Sequence, residues 1–444
     1  MKQKVYYARL VHSTAAGGVR RALRGEIVSF EDDPRKSPQA LRHWPDGLLV
    51  SEAGRIVEAG DAPPLLGKLA PGTPLDDWRG RLILPGFVDT HIHYPQTDVI
   101  ASRGEQLLGW LERYTFPTES RFGDPGLARE TAEFFLDELA RNGTTTALVM
   151  ATVHPQSVDA IFEAASARRL RLAAGKMLMD RNCPEALRDT AQRGYDESLA
   201  LIRRWHGQER LSYAVTPRFA PTSSNAQLQA AGDLYQRYPG VLMHTHVAEN
   251  PEEVKWVKEL FPEARSYLDV YERFGLLGPR AVLAHGIYLD DADRSRLAAT
   301  GAAIAHCPTS NLFVGSGIFD YGKANAAGVK VSLATDVGGG TSFSMLRTMH
   351  EAYKVSRFAG DPLRPLDAFY LATLGGARAM GMDDSIGSCA PGRDADLVVL
   401  DPQATPLMAR RMARAETLEE RLFALMMLGD DRAVAATYIL GEHV

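Results

Sequence analysis

At residues 82–93 the chain reads Leu82-Ile83-Leu84-Pro85-Gly86-Phe87-Val88-Asp89-Thr90-His91-Ile92-His93, an apolar run that ends in a His-x-His motif. Side chains of a β-strand alternate between its two faces, so His91 and His93 project from the same face. Two imidazoles spaced in this way at the end of a strand can bind one metal ion. The run therefore predicts a strand that carries two ligands of a metal-dependent enzyme.

Eight apolar segments are candidate strands, and helical patterns separate them. They cover residues 82–93, 144–153, 170–179, 211–219, 241–247, 281–288, 302–307 and 329–335. Near-continuous apolar strands that alternate with helices are typical of a parallel sheet covered on both faces. Eight such units predict an α/β fold with a closed (β/α)8 TIM-type barrel. An open, doubly wound sheet is the alternative, although no glycine-rich phosphate-binding motif follows the first strand.

The regions on either side of this barrel contain short strand-like segments that proline and glycine punctuate. They cover residues 26–30, 47–50 and 54–60 before the barrel, and 394–401 and 433–441 after it. We expect these segments to form one small composite β-sandwich domain. The predicted organisation is a catalytic barrel over residues 81–385, with residues 1–80 and 386–444 as the N- and C-terminal parts of the composite domain.

Composition and charge narrow the class of protein. The chain has 444 residues, a formal net charge of −5 and three cysteines, which are Cys183, Cys307 and Cys389. The negative net charge disfavours nucleic acid as a partner, because such proteins present a basic surface. Three cysteines cannot build a disulfide framework and are typical of a reducing compartment. We find no apolar core of a secretory signal and no run of 18 apolar residues, so we expect a cytoplasmic protein without a membrane partner.

Ligand-type side chains lie at the ends of four candidate strands. The first strand ends in His91 and His93, the fifth carries His246, the sixth carries His285, and Asp336 follows the eighth. In a (β/α)8 barrel the functional groups lie at the carboxyl ends of the strands, so these side chains should meet at one mouth. A lone histidine is more often structural, whereas a set from four strand ends predicts a metal site.

Longer motifs around these positions resemble the amidohydrolase superfamily, in its mononuclear deaminase branch. Within that branch they are similar to the guanine deaminases, and the resemblance covers nearly the whole chain. The motifs are residues 85–96 (PGFVDTHIHYPQ), 216–222 (TPRFAPT), 246–250 (HVAEN) and 306–311 (HCPTSN). Residues 104–108 (GEQLL) and 114–119 (YTFPTE) are similar to the bacterial form of these enzymes.

The resemblance implies a role for each matching residue of the metal centre. The ligands of one Zn²⁺ per subunit, with iron as an alternative metal, would be His91, His93, His246 and Asp336. Zinc would activate a bound water molecule. Glu249 would transfer protons, first to a ring nitrogen of the substrate. His285 would hydrogen-bond the developing tetrahedral centre, and Asp336 would pass the water's proton to the leaving amine.

The resemblance also implies the reaction, which is hydrolysis of guanine to xanthine and ammonia. Arg218 would donate to the carbonyl oxygen, Gln96 would donate and accept along the purine edge, and Phe219 would pack against the ring. Further substrate contacts would come from His246, Glu249 and Asp336. Such fixed donors would discriminate against adenine, whose 6-position is itself a donor. A homodimer is the implied assembly.

Other residues near the predicted mouth have two interpretations. His244 either orients a metal ligand or is a buried polar residue. Phe116 and Glu119 either cap the pocket or pack their own loop. We expect a tight turn rather than an anion-binding loop at glycines 338–340. We also expect structural roles for Lys176, His306 and Cys307.

Three alternative functions remain. A sibling deaminase would act on 8-oxoguanine, a triazine or cytosine, whereas Arg218, Phe219 and Gln96 favour guanine. A binuclear cyclic-amide hydrolase needs a bridging lysine from the fourth strand, but Lys176 lies on the third candidate strand. A scaffold protein without chemistry would have no need to keep Glu249 beside an intact ligand set.

Overall fold

The computed structural model describes residues 20–103 and 106–444. The start of the N-terminal part, residues 1–19, and Gly104 and Glu105 of the 104–108 motif lie outside the described residues. The described strands form a nearly closed parallel barrel and a separate seven-stranded sheet, which confirms the predicted (β/α)8 barrel with an additional β domain. None of the helices in the described part of the chain is both long and apolar enough to cross a membrane.

The separate sheet joins the two ends of the chain. Its first four strands are β1 (Arg20–Phe30), β2 (Leu41–Glu52), β3 (Arg55–Asp61) and β4 (Leu75–Pro85). The barrel follows as β5 (Phe87–His93), β6 (Thr144–Met150), β7 (Arg171–Gly175), β8 (Met177–Leu178), β9 (Leu211–Pro217), β10 (Leu242–Val247), β11 (Ala281–His285), β12 (Ala303–His306) and β13 (Lys330–Leu333). The last strands of the separate sheet are β14 (Leu397–Leu400), β15 (Val434–Ile439) and β16 (Glu442–His443). Its strand order is β16-β15-β14-β4-β1-β2-β3, so β4 and β14 connect the N- and C-terminal parts.

The run at residues 82–93 belongs to two strands rather than the single strand we expected. Residues up to Pro85 pair with β14 in the separate sheet, whereas the barrel strand begins at Phe87. Pro85 has no N–H to donate to a ladder. At Gly86 a Cβ would lie 2.1 Å from Oγ1 of Thr145, so only glycine permits this close approach. The two features divide one apolar run between two sheets.

The barrel is parallel throughout and closes between its first and last strands. The strand order is β13-β12-β11-β10-β9-β7-β6-β5, and the short β8 pairs with β9. At the seam the His93 amide donates to the Val337 carbonyl at 2.8 Å, and the Asp336 amide donates to the His91 carbonyl at 2.9 Å. Three predicted metal ligands therefore lie where the barrel closes.

Small apolar side chains fill the inside of the barrel below its mouth, as expected for a packed TIM-type core. They form one buried cluster that includes Val88, Leu148, Ala173, Ala214, Leu242, Val282, Ala305 and Ala334. Because this cluster closes the barrel from below, a ligand can reach the strand ends only from the mouth.

Helices surround the barrel and cover its mouth. They are α1 (Ala62–Leu66), α2 (Leu107–Trp110), α3 (Phe116–Glu119), α4 (Pro125–Arg141), α5 (Pro155–Ala167), α6 (Ala191–Trp205), α7 (Asn225–Arg237), α8 (Pro251–Leu260), α9 (Tyr267–Arg273), α10 (Asp291–Thr300), α11 (Pro308–Phe313), α12 (Tyr321–Ala326), α13 (Met345–Ala359), α14 (Pro365–Leu371), α15 (Leu374–Ala379), α16 (Pro406–Met412) and α17 (Leu418–Leu428). A π-helical turn spans Leu111–Thr115, and short 3-10 helices span Pro38–Ala40, Tyr94–Val99, Ser120–Gly123, Glu185–Leu187, Ala220–Thr222 and Asp431–Ala433. The connection between β5 and α4 carries α2 and α3, and residues of α2 contribute to the wall of the cavity at the mouth.

Candidate active site

A cavity of about 450 Å³ lies at the carboxyl ends of the barrel strands. The predicted site residues that line it are His93, Gln96, Arg218, Phe219, His246, Glu249, His285 and Asp336. His91, the remaining one, is fully buried. The fold thus brings together side chains that lie up to 245 positions apart in sequence, counting from His91 to Asp336.

The backbone at the strand ends turns these side chains toward the mouth. His91 and His93 lie on β5 and His246 on β10, in extended conformation. His285 ends β11 with a φ of 72°, and Asp336 follows β13 with a φ of 52°. These left-handed conformations are uncommon for residues other than glycine and cluster at functional sites.

Four ligand atoms converge on one point. Oδ1 of Asp336 lies 3.1 Å from Nε2 of His91 and 3.3 Å from Nε2 of His93. The Nε2 of His93 is in turn 3.2 Å from that of His91 and 3.3 Å from that of His246. Ligand atoms of a tetrahedral zinc ion are about 3.3 Å apart, as follows from zinc–nitrogen bonds of about 2.0–2.1 Å. The spacing suits one such ion.

The electrostatics of the four side chains also suit a cation. Burial lowers the pKa of His93 to about 4 and that of His246 well below its ordinary value, so both rings are neutral. The Nδ1 of His246 donates to the Arg218 carbonyl at 2.7 Å, which leaves the lone pair on Nε2. Burial acts to raise the pKa of Asp336, but its interactions with His91, His93 and His285 outweigh burial and hold that pKa well below its ordinary value. The set therefore offers three neutral imidazoles and one carboxylate to a metal.

His244 contacts one of the predicted ligands directly. Its Nε2 lies 2.6 Å from Nδ1 of His91, and both rings are fully buried. If Nε2 of His91 binds a metal, its Nδ1 carries the proton and donates to His244. Of the two interpretations of His244, this contact favours the orienting one.

Glu249 lies beside the ligand set, where burial and the charge of Asp336 raise its pKa to about 8. Ser316 donates to Oε1 of Glu249 at 2.9 Å. Nε2 of His285 is 3.3 Å from Oε2 of Glu249 and 3.7 Å from Oδ2 of Asp336. The other ring nitrogen of His285 is 2.8 Å from Oδ1 of Asn311. A carboxyl that holds its proton near neutral pH can act as a general acid.

The predicted substrate-binding residues form another part of the cavity wall, beside the ligand set. Arg218 follows β9, and its Nη1 donates to Oε2 of Glu119 at 2.6 Å. Gln96 donates from Nε2 to Oε1 of the same carboxylate at 2.9 Å. The ring of Phe219 lines the cavity and meets Trp256 edge-on, with 6.3 Å between ring centroids. This wall combines one cation, one amide and aromatic surface.

Several residues with open interpretations lie outside this chemistry. His306 packs on the Phe319 ring at 4.8 Å, and burial lowers its pKa to about 3. Lys176 is buried between β7 and β8 and pairs with Asp189 and with Glu197 at 3.2 Å. Burial raises the pKa of Cys307 well above its ordinary value, so its thiol keeps its proton although it lies near His285 and Asp336.

The glycines after β13 form a turn, as we expected. The Gly340 amide donates to the Asp336 carbonyl at 2.5 Å. A Cβ at Gly340 would lie 1.8 Å from the Thr335 carbonyl oxygen, so the turn closes too tightly for a side chain there. This turn brings Gly339 and Asp336 to the wall of the cavity.

The partners of the functional groups cannot be predicted from the sequence alone. The sequence leaves two roles open for Glu119 and indicates none for Ser316 or Asn311. Neither partner of Glu119 is a sequence neighbour, since Arg218 is 99 positions away and Gln96 is 23. The only available signal was that Glu119 and Asn311 lie in motifs that resemble the deaminases, whereas Ser316 lies outside all of them.

Comparison with known proteins identifies the class. The model of the amidohydrolase family matches residues 82–444, and this chain therefore belongs to the amidohydrolase family. The family consists of metal-dependent hydrolases, and the described residues hold a matching cluster of His91, His93, His246 and Asp336.

The relatives are more specific than the family. Guanine deaminase of Escherichia coli strain K12 is 49% identical over 427 residues, which are 96% of this chain and 97% of that protein. A solved structure of E. coli guanine deaminase matches with a TM-score of 0.93, 49% identity, and coverage of 96% of this chain and 99% of the other. Guanine deaminase from C. acetobutylicum, solved with guanine bound in the active site, matches with a TM-score of 0.87 and 28% identity over 96% of this chain and all of the other.

Proposed function

We propose that this chain hydrolyses guanine to xanthine and ammonia. The observation that carries the proposal is the pairing, in one cavity, of a metal-ligand set and Glu249 with the Arg218 and Gln96 wall. Further support comes from relatives that are guanine deaminases over nearly their whole length, one of them with guanine bound.

One metal ion, which we propose to be zinc with iron as the alternative, would complete the site. The proposed ligands are His91, His93, His246 and Asp336. When bound, the ion supplies Lewis-acid chemistry that lowers the pKa of a water molecule toward about 7. The converging lone pairs and the neutral rings of the histidines support this assignment.

The residues of the chain would then move the protons. Glu249 would donate its proton to a ring nitrogen beside C2 of guanine, since its raised pKa keeps it protonated near neutral pH. Asp336 would accept a proton from the attacking water and deliver it to the departing amino group. Nε2 of His285 would hydrogen-bond the oxygen that adds to C2. The C2–N bond then breaks and ammonia leaves, while the remaining hydroxyl proton goes to the ionised Glu249, so that the oxygen becomes the new carbonyl of xanthine and Glu249 regains its proton.

The part of the cavity wall formed by Arg218, Gln96 and Phe219 would select the substrate. Arg218 would donate to the 6-carbonyl oxygen, because a guanidinium has only donors and keeps its charge. Gln96 would accept from the neighbouring ring N–H, and Phe219 would cover the ring face. Adenine carries an amino group where guanine has the carbonyl, so a donor at Arg218 would reject it.

Three further predictions accompany this function. The division into residues 1–80, 81–385 and 386–444 stays a prediction, and β4 crosses the first of these boundaries. The homodimer stays a prediction as well. So does the cytoplasmic location.

Ammonia release tests the proposal. Zinc-loaded protein is given guanine, adenine or cytosine, and we expect rapid release from guanine alone. Glu249→Gln should lower kcat by about 10²- to 10⁴-fold while bound zinc stays at one ion per chain. The matched control is Glu252→Gln, three residues further on and exposed, which should keep full activity.

Two results would count against the proposal. No ammonia from guanine by metal-bound protein would redirect the search to 8-oxoguanine, triazines and other amino-heterocycles. Equal activity of wild type and Glu249→Gln would exclude Glu249 from the chemistry.

A further inference from the structure

A single buried carboxylate joins the two polar residues of the substrate wall. Glu119 ends α3 and is fully buried. Its Oε2 accepts from Nη1 of Arg218 at 2.6 Å, and its Oε1 accepts from Nε2 of Gln96 at 2.9 Å. Glu119 itself does not line the cavity, whereas both of its partners do.

The contact determines which end of the Gln96 amide can accept a hydrogen bond from a ligand. The two ends of an amide differ, because the nitrogen only donates and the oxygen only accepts. With Nε2 directed at Glu119, Oε1 lies on the other side, 3.3 Å from the amide nitrogen of Gly338. A carboxylate has no donor when ionised, so Glu119 cannot accommodate the reversed amide.

The same short helix immobilises the guanidinium of Arg218. Both hydrogens of Nη1 have acceptors, since Nη1 donates to Glu119 and lies 2.8 Å from the sulfur of Met177. The guanidinium carbon also lies 5.2 Å from the centre of the Phe116 ring, within cation–π range. Arg218 is only 2% exposed, so its charge needs this carboxylate. Nε and Nη2 remain as the donors for a ligand.

We propose that Glu119 is a positioning residue that sets the preference of the site for a 6-oxopurine edge. This inference rests on the proposed function. A 6-oxopurine presents a carbonyl acceptor beside a ring N–H donor, so it needs one fixed donor and one fixed acceptor opposite. Glu119 orients Arg218 as that donor and Oε1 of Gln96 as that acceptor.

Replacement of Glu119 by glutamine keeps the volume of the side chain but removes one of the two acceptors that orient Arg218 and Gln96. The new amide has one oxygen, which can face Arg218 or Gln96 but not both. Its NH₂ group must then meet a donor, so one partner turns away or stays unsatisfied. The loss of one such buried hydrogen bond corresponds to about a 10- to 100-fold loss in binding.

The test measures binding of two unreactive ligands to zinc-loaded protein. Hypoxanthine has the 6-carbonyl and the ring N–H but no 2-amino group, whereas purine lacks all three. We expect wild type to bind hypoxanthine more tightly than purine, and Glu119→Gln to reduce that ratio of Kd values by about tenfold or more. With guanine as substrate, Glu119→Gln should raise KM much more than it lowers kcat.

Asp189→Asn is the matched control. Asp189 is also a fully buried carboxylate, but it pairs with Lys176 and Arg193, neither of which lines the cavity. This variant should keep the wild-type ratio of hypoxanthine to purine binding. Glu119→Asp provides a second variant that keeps the charge but is too short to span both partners, and it should also reduce the ratio.

The outcomes separate the two proposals. If wild type prefers hypoxanthine and both Glu119 variants keep that preference, the role of Glu119 is wrong and the proposed function stands. If Glu119→Gln lowers the binding of hypoxanthine and purine equally, Glu119 only supports the fold and the inference is wrong. If wild type binds hypoxanthine and purine equally and releases no ammonia from guanine, both the proposed function and this inference are wrong.

Discussion

At the level of single residues, the proposed metal centre includes contacts with side chains that are not among the proposed ligands. His244 is an example, because its Nε2 lies 2.6 Å from Nδ1 of His91, the ring nitrogen that is not among the converging ligand atoms. Such a contact selects one tautomer of the ligand and stops rotation of its ring. We therefore expect His244 to contribute to the metal affinity of the proposed site without being a ligand.

We expect His244→Phe to weaken zinc binding by about 10- to 100-fold, because the N–H of His91 would lose its acceptor. His244→Gln should recover part of the affinity, since its amide oxygen can accept the same proton. Competition for zinc against a chelator of known affinity measures the change. His306→Phe is the control, because His306 is equally buried but packs on Phe319. Wild-type zinc affinity in His244→Phe would exclude the orienting role.

At the level of secondary structure, the first turn of α8 holds Glu249 in place. The Asn250 side chain accepts from the Glu252 amide at 3.0 Å, which caps the helix. Glu253 reaches back and accepts from the amides of Glu249 and Asn250 at 2.9 and 3.1 Å, and from the Tyr267 hydroxyl at 2.7 Å. This capping box therefore connects the helix to the proposed proton-transfer residue.

The capping box predicts a dependence of stability on pH. Burial, and then the nearby Glu249, raise the pKa of Glu253 from an ordinary 4.5 to about 7. As pH rises, Glu253 loses its proton in the unfolded chain at a lower pH than in the folded protein. Its contribution to the free energy of unfolding is therefore fully present below pH 4.5 and disappears as the pH rises through about 7. A shift of this size corresponds to about 3 kcal/mol.

Urea unfolding of the metal-free protein at pH 5 and pH 8 measures this contribution. From pH 5 to pH 8, the free energy of unfolding should fall more in wild type than in Glu253→Gln. The difference between the two falls should be on the order of 3 kcal/mol. Titrating groups that do not interact with Glu253 are common to both proteins and cancel in the comparison. Exposed Glu252→Gln should show no such difference. The same gap between wild type and Glu253→Gln at both pH values would contradict the prediction.

At the level of the whole molecule, the two ends of the barrel have different tasks. The cavity opens at the carboxyl ends of the strands, while buried ion pairs attach the opposite end to the separate sheet. Arg171 at the start of β7 donates to Asp394 at 2.7 Å, and Arg210 before β9 pairs with Asp394 and Asp396. Asp396 also accepts from the Leu440 amide at 2.9 Å. In barrels of this type, that end contributes stability rather than catalysis.

We expect Asp396→Asn to destabilise the protein without changing its chemistry. The substitution keeps an acceptor for the Leu440 amide but leaves the largely buried side chain of Arg210 with Asp394 as its counter-charge, which costs up to about 3 kcal/mol. The free energy of unfolding should fall accordingly, and kcat/KM for guanine should stay at the wild-type value. Asp77→Asn removes an exposed partner of Arg79 and should change neither quantity. A fall in kcat/KM with unchanged free energy of unfolding would contradict a purely stabilising role for this end of the barrel.

The elements that could be predicted from sequence are those with a local signal. Each barrel strand is a short apolar run, and His91, His93 and His246 take their direction from strand alternation within a few residues. Because parallel strands end on the same side of a barrel, the fold class alone implied that these histidines would meet Asp336. The ligand set is thus encoded by local patterns together with the fold class.

The remaining features depend on contacts between distant segments. The division of residues 82–93 at Gly86 follows from the closeness of Thr145, and the orientation of Arg218 follows from a carboxylate 99 positions earlier. The same is true of the raised pKa of Glu249, which burial and the charge of Asp336 produce. Strand alternation and chain order specify which side chains reach the mouth, but only tertiary packing decides which of them touch, how far water is excluded, and hence which protons they hold.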